Sequence, residues 1–128
     1  MAKVPQDSIA RSRIVCYISS VTAFVYLLRC SDNTLYAGYT FDLQRRLQQH
    51  ARGTGSKYVR SRLPFTLAAS FEVPARDARR VEAAVKKLTR PEKERLIARA
   101  RRYDELAKPH DPPIDIRPLI GYSSPHAG

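Results

Sequence analysis

The chain has 128 residues, 43% of them hydrophobic and 27% charged, which suits one domain with a real core. No run approaches the roughly 20 apolar residues of a membrane span, and the N-terminus lacks the apolar stretch of a signal peptide. Lys plus Arg outnumber Asp plus Glu by 23 to 12, a formal net charge of +11 that points to a polyanionic partner and leaves fold and chemistry open. The expectation is a cytoplasmic protein with no membrane contact, its cysteines Cys16 and Cys30 both reduced.

In chain order, residues 1–23 form an extension of unclear structure, in which Ile14 to Ile18 could make a short strand. Phe24 to Cys30 is apolar and rich in strand formers, Ser31 to Thr34 supplies turn residues, and Leu35 to Tyr39 resumes a strand, so a β-hairpin is predicted. Thr40 or Asp42 can cap a helix over about Leu43 to Arg52, ended by Gly53. A loop then runs to Pro64, and Thr66 to Val73 is a third strand stopped by Pro74. A helix over about Ala75 to Leu88 places Ala78, Val81, Val85 and Leu88 on one face. Thr89, Pro91 and Glu92 spell a capping box that starts a last helix, running to about Leu106. The proline-rich tail beyond Lys108 is expected to be extended, either draped on the domain or disordered. The order β-β-α-β-α-α implies an α+β fold, a three-stranded antiparallel sheet flanked by helices.

From Leu43 to Phe71 there is no acidic residue, while Arg45, Arg46, Arg52, Lys57, Arg60 and Arg62 all occur, with Tyr58 and Phe65 among them. That composition suits a phosphate backbone, although a charge run is by itself an ordinary solvated face. Gly38 ends a strand where another backbone or a phosphate can come close, or else it marks a plain bulge.

The ordered residues carry more than their composition. Val25-Tyr26-Leu27, then Tyr36-Ala37-Gly38, then Arg46 and His50 at eight and twelve residues past Gly38, then Glu82 on the next helix, resemble the GIY-YIG endonuclease family, and in particular its small stand-alone bacterial members. The loop from Gly53 to Pro64 and the run from Leu88 to Ile97 are similar to those members as well. The resemblance covers residues 24–98, roughly 75 of the 128, and leaves 99–128 as a helix end and tail. Phe-Val-Tyr stands where the family has Gly-Ile-Tyr, and Tyr-Ala-Gly where it has Tyr-Ile-Gly. The one asparagine, Asn33, lies in the hairpin turn, so the late asparagine of many longer members has no counterpart.

The resemblance implies a metal-dependent endonuclease that hydrolyses DNA phosphodiester bonds, selecting structure or strand and not a long sequence. Its site would be Tyr26, Tyr36, Arg46, His50 and Glu82, with Glu82 holding Mg²⁺ or Mn²⁺ and Arg45, Lys57, Arg60 and Arg62 gripping nucleic acid. The chemistry asks for these types: a hard cation on a carboxylate, a forked permanent cation for phosphate, and a hydroxyl to hold or deprotonate water. A tyrosine, ordinarily near pKa 10, needs positive charge beside it to act as a base, which Arg46 and the metal could supply. The resemblance favours Tyr26 for that role.

Singly, each residue has a duller explanation: strand aromatics for the tyrosines, a core histidine for His50, a solvated arginine for Arg46, and an i,i+4 ion pair of Glu82 with Lys86. Two rival functions are a non-catalytic nucleic-acid-binding module on the same fold and a small basic scaffold binding RNA. Hairpin register provides a geometric test. A two-residue Asp32-Asn33 turn pairs Ser31 with Thr34 and sends Tyr26 and Tyr36 to opposite faces. A three-residue loop, Asp32-Asn33-Thr34, pairs Ser31 with Leu35 and unites them, with Asn33 in a left-handed position.

Overall fold

A computed structural model describes residues 21–123 and Pro125, so the strand expected over Ile14 to Ile18 lies outside the described residues. The fold is α+β, with a three-stranded antiparallel sheet flanked by helices. The strands are β1 (Thr22–Arg29), β2 (Leu35–Thr40) and β3 (Thr66–Pro74), in the spatial order β2-β1-β3. The helices are α1 (Leu43–Ala51), the one-turn α2 (Lys57–Arg60), α3 (Ala78–Lys87) and α4 (Arg90–Leu106). A 3₁₀ turn at Ala75–Asp77 leads into α3, where the sequence reading began the α-helix directly.

β1 is the central strand, and Val25, Tyr26, Leu27 and Leu28 are all fully buried because both sheet faces are covered. Strand alternation sorts them. Ala23, Val25 and Leu27 join Ala37, Phe71 and Val73 beneath Val81 and Val85 of α3 and Leu96 and Ile97 of α4. Tyr26 and Leu28 face the other way, under Leu43 and Leu47 of α1 and Val59 of α2. Removing a buried side chain such as Leu27 would cost about 2–5 kcal/mol, since the cavity cannot fully collapse.

The hairpin loop is odd-length but sits one residue earlier than expected. Cys30 pairs with Thr34, its N–H donating to Thr34 O at 2.9 Å, so the loop is Ser31-Asp32-Asn33. Asp32 explains the shift, because its Oδ1 accepts from both the amide (3.1 Å) and hydroxyl (2.6 Å) of Thr34 and draws that residue into the ladder. Asn33 takes the left-handed position at φ 67° and its N–H donates to Cys30 O, closing a type I turn followed by a left-handed residue. The register pairs Tyr26 with Gly38 and Leu28 with Tyr36, which puts both tyrosines on one face.

Asp42, and not Thr40, caps α1 by accepting from Arg45 N at 3.1 Å. The Thr89–Glu92 capping box starts α4 as expected. Arg29 forks onto Glu94 at 2.7 and 2.9 Å, tying the end of β1 to α4, and with Arg90 it holds the Glu94 carboxyl down at about 2. The described part of the tail is packed against the domain. Ile116 is fully buried in the main core, and Arg117 donates to the buried carboxylate of Asp77 at 3.3 Å, at the entry to α3. Among the described residues no helix is long and apolar enough to cross a membrane.

Candidate active site

β2 is an edge strand, so helices on opposite faces of the sheet both reach its open side. Arg46 arrives from α1 and Glu82 from α3. They line an open cleft of about 350 Å³ together with Tyr26, Tyr36, Gly38, Tyr39, Thr40 and Phe41. Four of the five expected catalytic side chains therefore border one space. His50 does not. It lies behind Tyr26, 1% exposed, with Nε2 at 2.9 Å from Tyr26 Oη.

Packing around this pair fixes the tyrosine hydroxyl. Gly38 stands directly opposite Tyr26 in the register, and a Cβ there would lie 2.5 Å from Tyr26 Oη. The close approach anticipated at Gly38 is thus made by the Tyr26 ring. On the far side, a Cβ at Gly55 would lie 2.6 Å from His50 Nδ1. The Tyr26–His50 pair is held between two glycines, and the second was missed because it falls in a stretch read only as a basic loop.

His50 Nδ1 is buried with no hydrogen-bond partner. A buried unpaired acceptor is more tolerable than a buried unpaired N–H, which favours the neutral tautomer protonated on Nε2 and donating to Tyr26 Oη; in the other tautomer Nε2 accepts from Tyr26. Burial, and then the charge of Arg46, push the His50 pKa down, which favours that neutral form.

Tyr26 itself is pushed up to about 12, chiefly by burial and then by neighbouring Tyr36. Arg46 pulls in the opposite direction and is outweighed, so the protein's own arginine does not supply all the positive charge a base would need. Arg46 is oriented by Gln49, whose Oε1 accepts from Arg46 Nε at 3.0 Å. Glu82 has an 18% exposed side chain and a loose i,i+4 pairing with Lys86 at 3.6 Å, so the ion pair and the cleft position coexist.

Tyr36 is steadied by an aromatic stack. Its ring lies 5.7 Å from that of Tyr58 at 25°, and the Arg62 guanidinium sits 3.8 Å over Tyr58. Arg62 Nε in turn donates to Asp32 Oδ2 of the hairpin loop at 2.9 Å. Arg62, expected to grip nucleic acid, is engaged in holding α2 to the hairpin. Arg45, Lys57 and Arg60 are exposed.

Among the described residues no three His, Cys, Asp or Glu side chains gather into a metal-binding group. The donors at the cleft are one carboxylate and tyrosine hydroxyls, a hard oxygen set that fits a cation keeping most of its waters, as Mg²⁺ and Mn²⁺ do. Tyr39, Thr40 and Phe41 also line the cleft and were not anticipated, although they connect Gly38 directly to the helix that carries Arg46.

Several known proteins are similar to this chain. Residues 22–95 match the model of the GIY-YIG catalytic domain. The chain is 51% identical over 84 residues to a UPF0213 protein of Bacillus velezensis, covering 64% of this chain and 84% of that one. It is 48% identical over 84 residues to the UPF0213 protein YhbQ of Escherichia coli, covering 65% and 84%. Two solution NMR structures are also similar. The UPF0213 protein BH0048 from Bacillus halodurans is 45% identical, with 60% of this chain and 83% of that one covered and a TM-score of 0.41. The protein EF2693 from E. faecalis is 35% identical, with 71% and 94% covered and a TM-score of 0.46.

Proposed function

This chain belongs to the GIY-YIG family of nuclease domains, and on that premise we propose that it is a metal-dependent endonuclease that hydrolyses DNA phosphodiester bonds in the cytoplasm. The observation that carries the proposal is the meeting of Tyr26, Tyr36, Arg46 and Glu82 on one cleft, with His50 bonded behind Tyr26. Phosphodiester hydrolysis needs an oriented water, a clamp on a phosphate gaining charge, and help for the departing oxygen.

Arg46, held by Gln49, presents its fork to a phosphate oxygen. With His50 protonated on Nε2, Tyr26 Oη accepts from it at 2.9 Å and turns its own O–H into the cleft, where it can orient a water. At neutral pH a hydroxyl near 12 keeps its proton, so Tyr26 becomes a base only when positive charge beyond Arg46 arrives. Glu82 would hold Mg²⁺ or Mn²⁺, which when bound supplies that charge and Lewis-acid polarisation of the phosphate. Tyr36, fixed by Tyr58, stands beside the same space and completes its hydroxyl lining.

Arg45, Lys57 and Arg60 grip the backbone outside the cleft, with RNA a second candidate to DNA as the polyanion. No acidic residue interrupts residues 43–71, which favours sequence-poor, salt-sensitive binding and selection by strand or structure. The test is incubation of labelled single-stranded, duplex and branched DNA, and of RNA, with and without Mg²⁺ or Mn²⁺. Metal-dependent cleavage of one DNA form is expected. Tight, metal-independent binding with no cleavage would make the protein a binding module on a nuclease fold.

A further inference from the structure

Phe41 lines the cleft with no role in the chemistry above, and it is 62% exposed. It immediately precedes Asp42, the N-cap of α1, a position where an apolar side chain ordinarily packs against the fourth residue of the helix. Here that fourth residue is Arg46, whose guanidinium belongs to the cleft. The ring is therefore left without its usual apolar cover, touching Tyr39 edge-on at 6.4 Å and 86°.

The backbone beneath it is nevertheless pinned. Thr40, 8% exposed, bridges across Phe41, its Oγ1 accepting from Asp42 N and donating to Asp42 O, both at 3.2 Å. A flat apolar ring is thus presented at a fixed place on the rim of a polar cleft, with Arg45 and Arg46 on the next turn of chain. A lone exposed aromatic is too small to seat a protein, which needs a contiguous patch of several hundred Å². A nucleobase needs only one face to stack on, and guanidinium groups nearby to hold the phosphates on either side of it.

We infer that Phe41 forms a nucleobase subsite, stacking one unpaired base of the strand whose phosphate lies on Arg46. The inference rests on the cleft being a nucleic-acid site. A base inside an intact helix has no free face, so this residue rewards a strand that can splay one base out. The contact is apolar, and it contributes affinity without changing how many phosphates are neutralised.

The test uses the Glu82→Gln protein in EDTA, so that binding is read without cutting, and DNA oligonucleotides carrying the fluorescent base 2-aminopurine at successive positions. Quenching is expected at one unpaired position. Phe41→Ala should abolish the quench and weaken binding about 5- to 150-fold, with the log–log salt slope unchanged, while Phe41→Trp should restore both. Retained quenching and affinity in Phe41→Ala, a slope that flattens with it, or no quenching at any position would each overturn the subsite. If the wild-type protein cuts DNA with Mg²⁺ and Phe41→Ala binds and cuts as well as it does, the subsite fails alone. If the quench depends on Phe41 but no cleavage occurs with any metal, the nuclease reading fails and the subsite stands.

Discussion

At the scale of single residues, the centre of the site is a hydroxyl held from both sides. Gly38 and Gly55 leave room for Tyr26 and His50 that any Cβ would occupy at 2.5 and 2.6 Å. Each glycine-to-alanine change should therefore cost about 1–3 kcal/mol as overpacking, and should slow cleavage more than it lowers DNA affinity. Thermal midpoints, cleavage rates and binding constants for the two variants check this, and wild-type rates in Gly38→Ala would remove the clamp. Titration provides a second check. Below about pH 10 Tyr26 is protonated folded and unfolded alike; between about 10 and 12 only the unfolded chain loses the proton, so stability falls as pH rises. Tyr122 is also raised, by burial and Asp77, so the contribution of Tyr26 is the part removed in Tyr26→Phe. His50 acts at the other end, its lowered pKa costing stability as pH falls below about 6.5. An alkaline limb identical in Tyr26→Phe and wild type would contradict this account of its burial. The chemistry-bearing types and spacings were legible in the sequence. That His50 would sit behind the cleft was not, because helix spacing puts it on the Leu43 and Leu47 side without telling which strand residue it meets.

At the scale of elements, hairpin geometry decides whether the two tyrosines can act together. The shared site that the resemblance implies required an odd loop, with Asn33 suited to its left-handed position, but turn chemistry could not weigh the grip of Asp32 on Thr34 that moves the loop by one residue. The one-turn α2 was invisible because four residues between a glycine-rich stretch and a proline carry no helical period. Its presence gives Arg62 partners within the chain. This arginine already has Asp32 and the face of Tyr58, so Arg62→Ala should leave the salt dependence of DNA binding nearly unchanged. Both contacts are partly exposed, and their loss should cost no more than about 1–2 kcal/mol. Cleavage should fall as Tyr36 loses the support of Tyr58. The double variant Lys57→Ala, Arg60→Ala should instead flatten the log–log salt slope by about 0.7–0.9 per lost phosphate contact. Equal flattening by Arg62→Ala would mean that Arg62 exchanges Asp32 for phosphate when DNA binds.

At the scale of the whole molecule, composition announced a basic, single-core protein, and the element order announced the sheet. The tail was less legible, since prolines and turn residues hide the buried Ile116 and the Arg117–Asp77 pairing that close it over the start of α3. Truncation after Lys108 should destabilise the domain by at least the roughly 2–5 kcal/mol of one buried aliphatic side chain, read as a lower thermal midpoint. An unchanged midpoint would show the tail to be dispensable. The central claim is that Glu82 and the tyrosine pair form a metal-dependent cutting site, and the most direct measurement compares wild type with Glu82→Ala on labelled DNA, with and without Mg²⁺, alongside DNA affinity and circular dichroism. The account predicts cleavage by wild type only with metal, and none by Glu82→Ala, which keeps its fold and its DNA affinity. Metal-dependent cleavage by Glu82→Ala at the wild-type rate would contradict it.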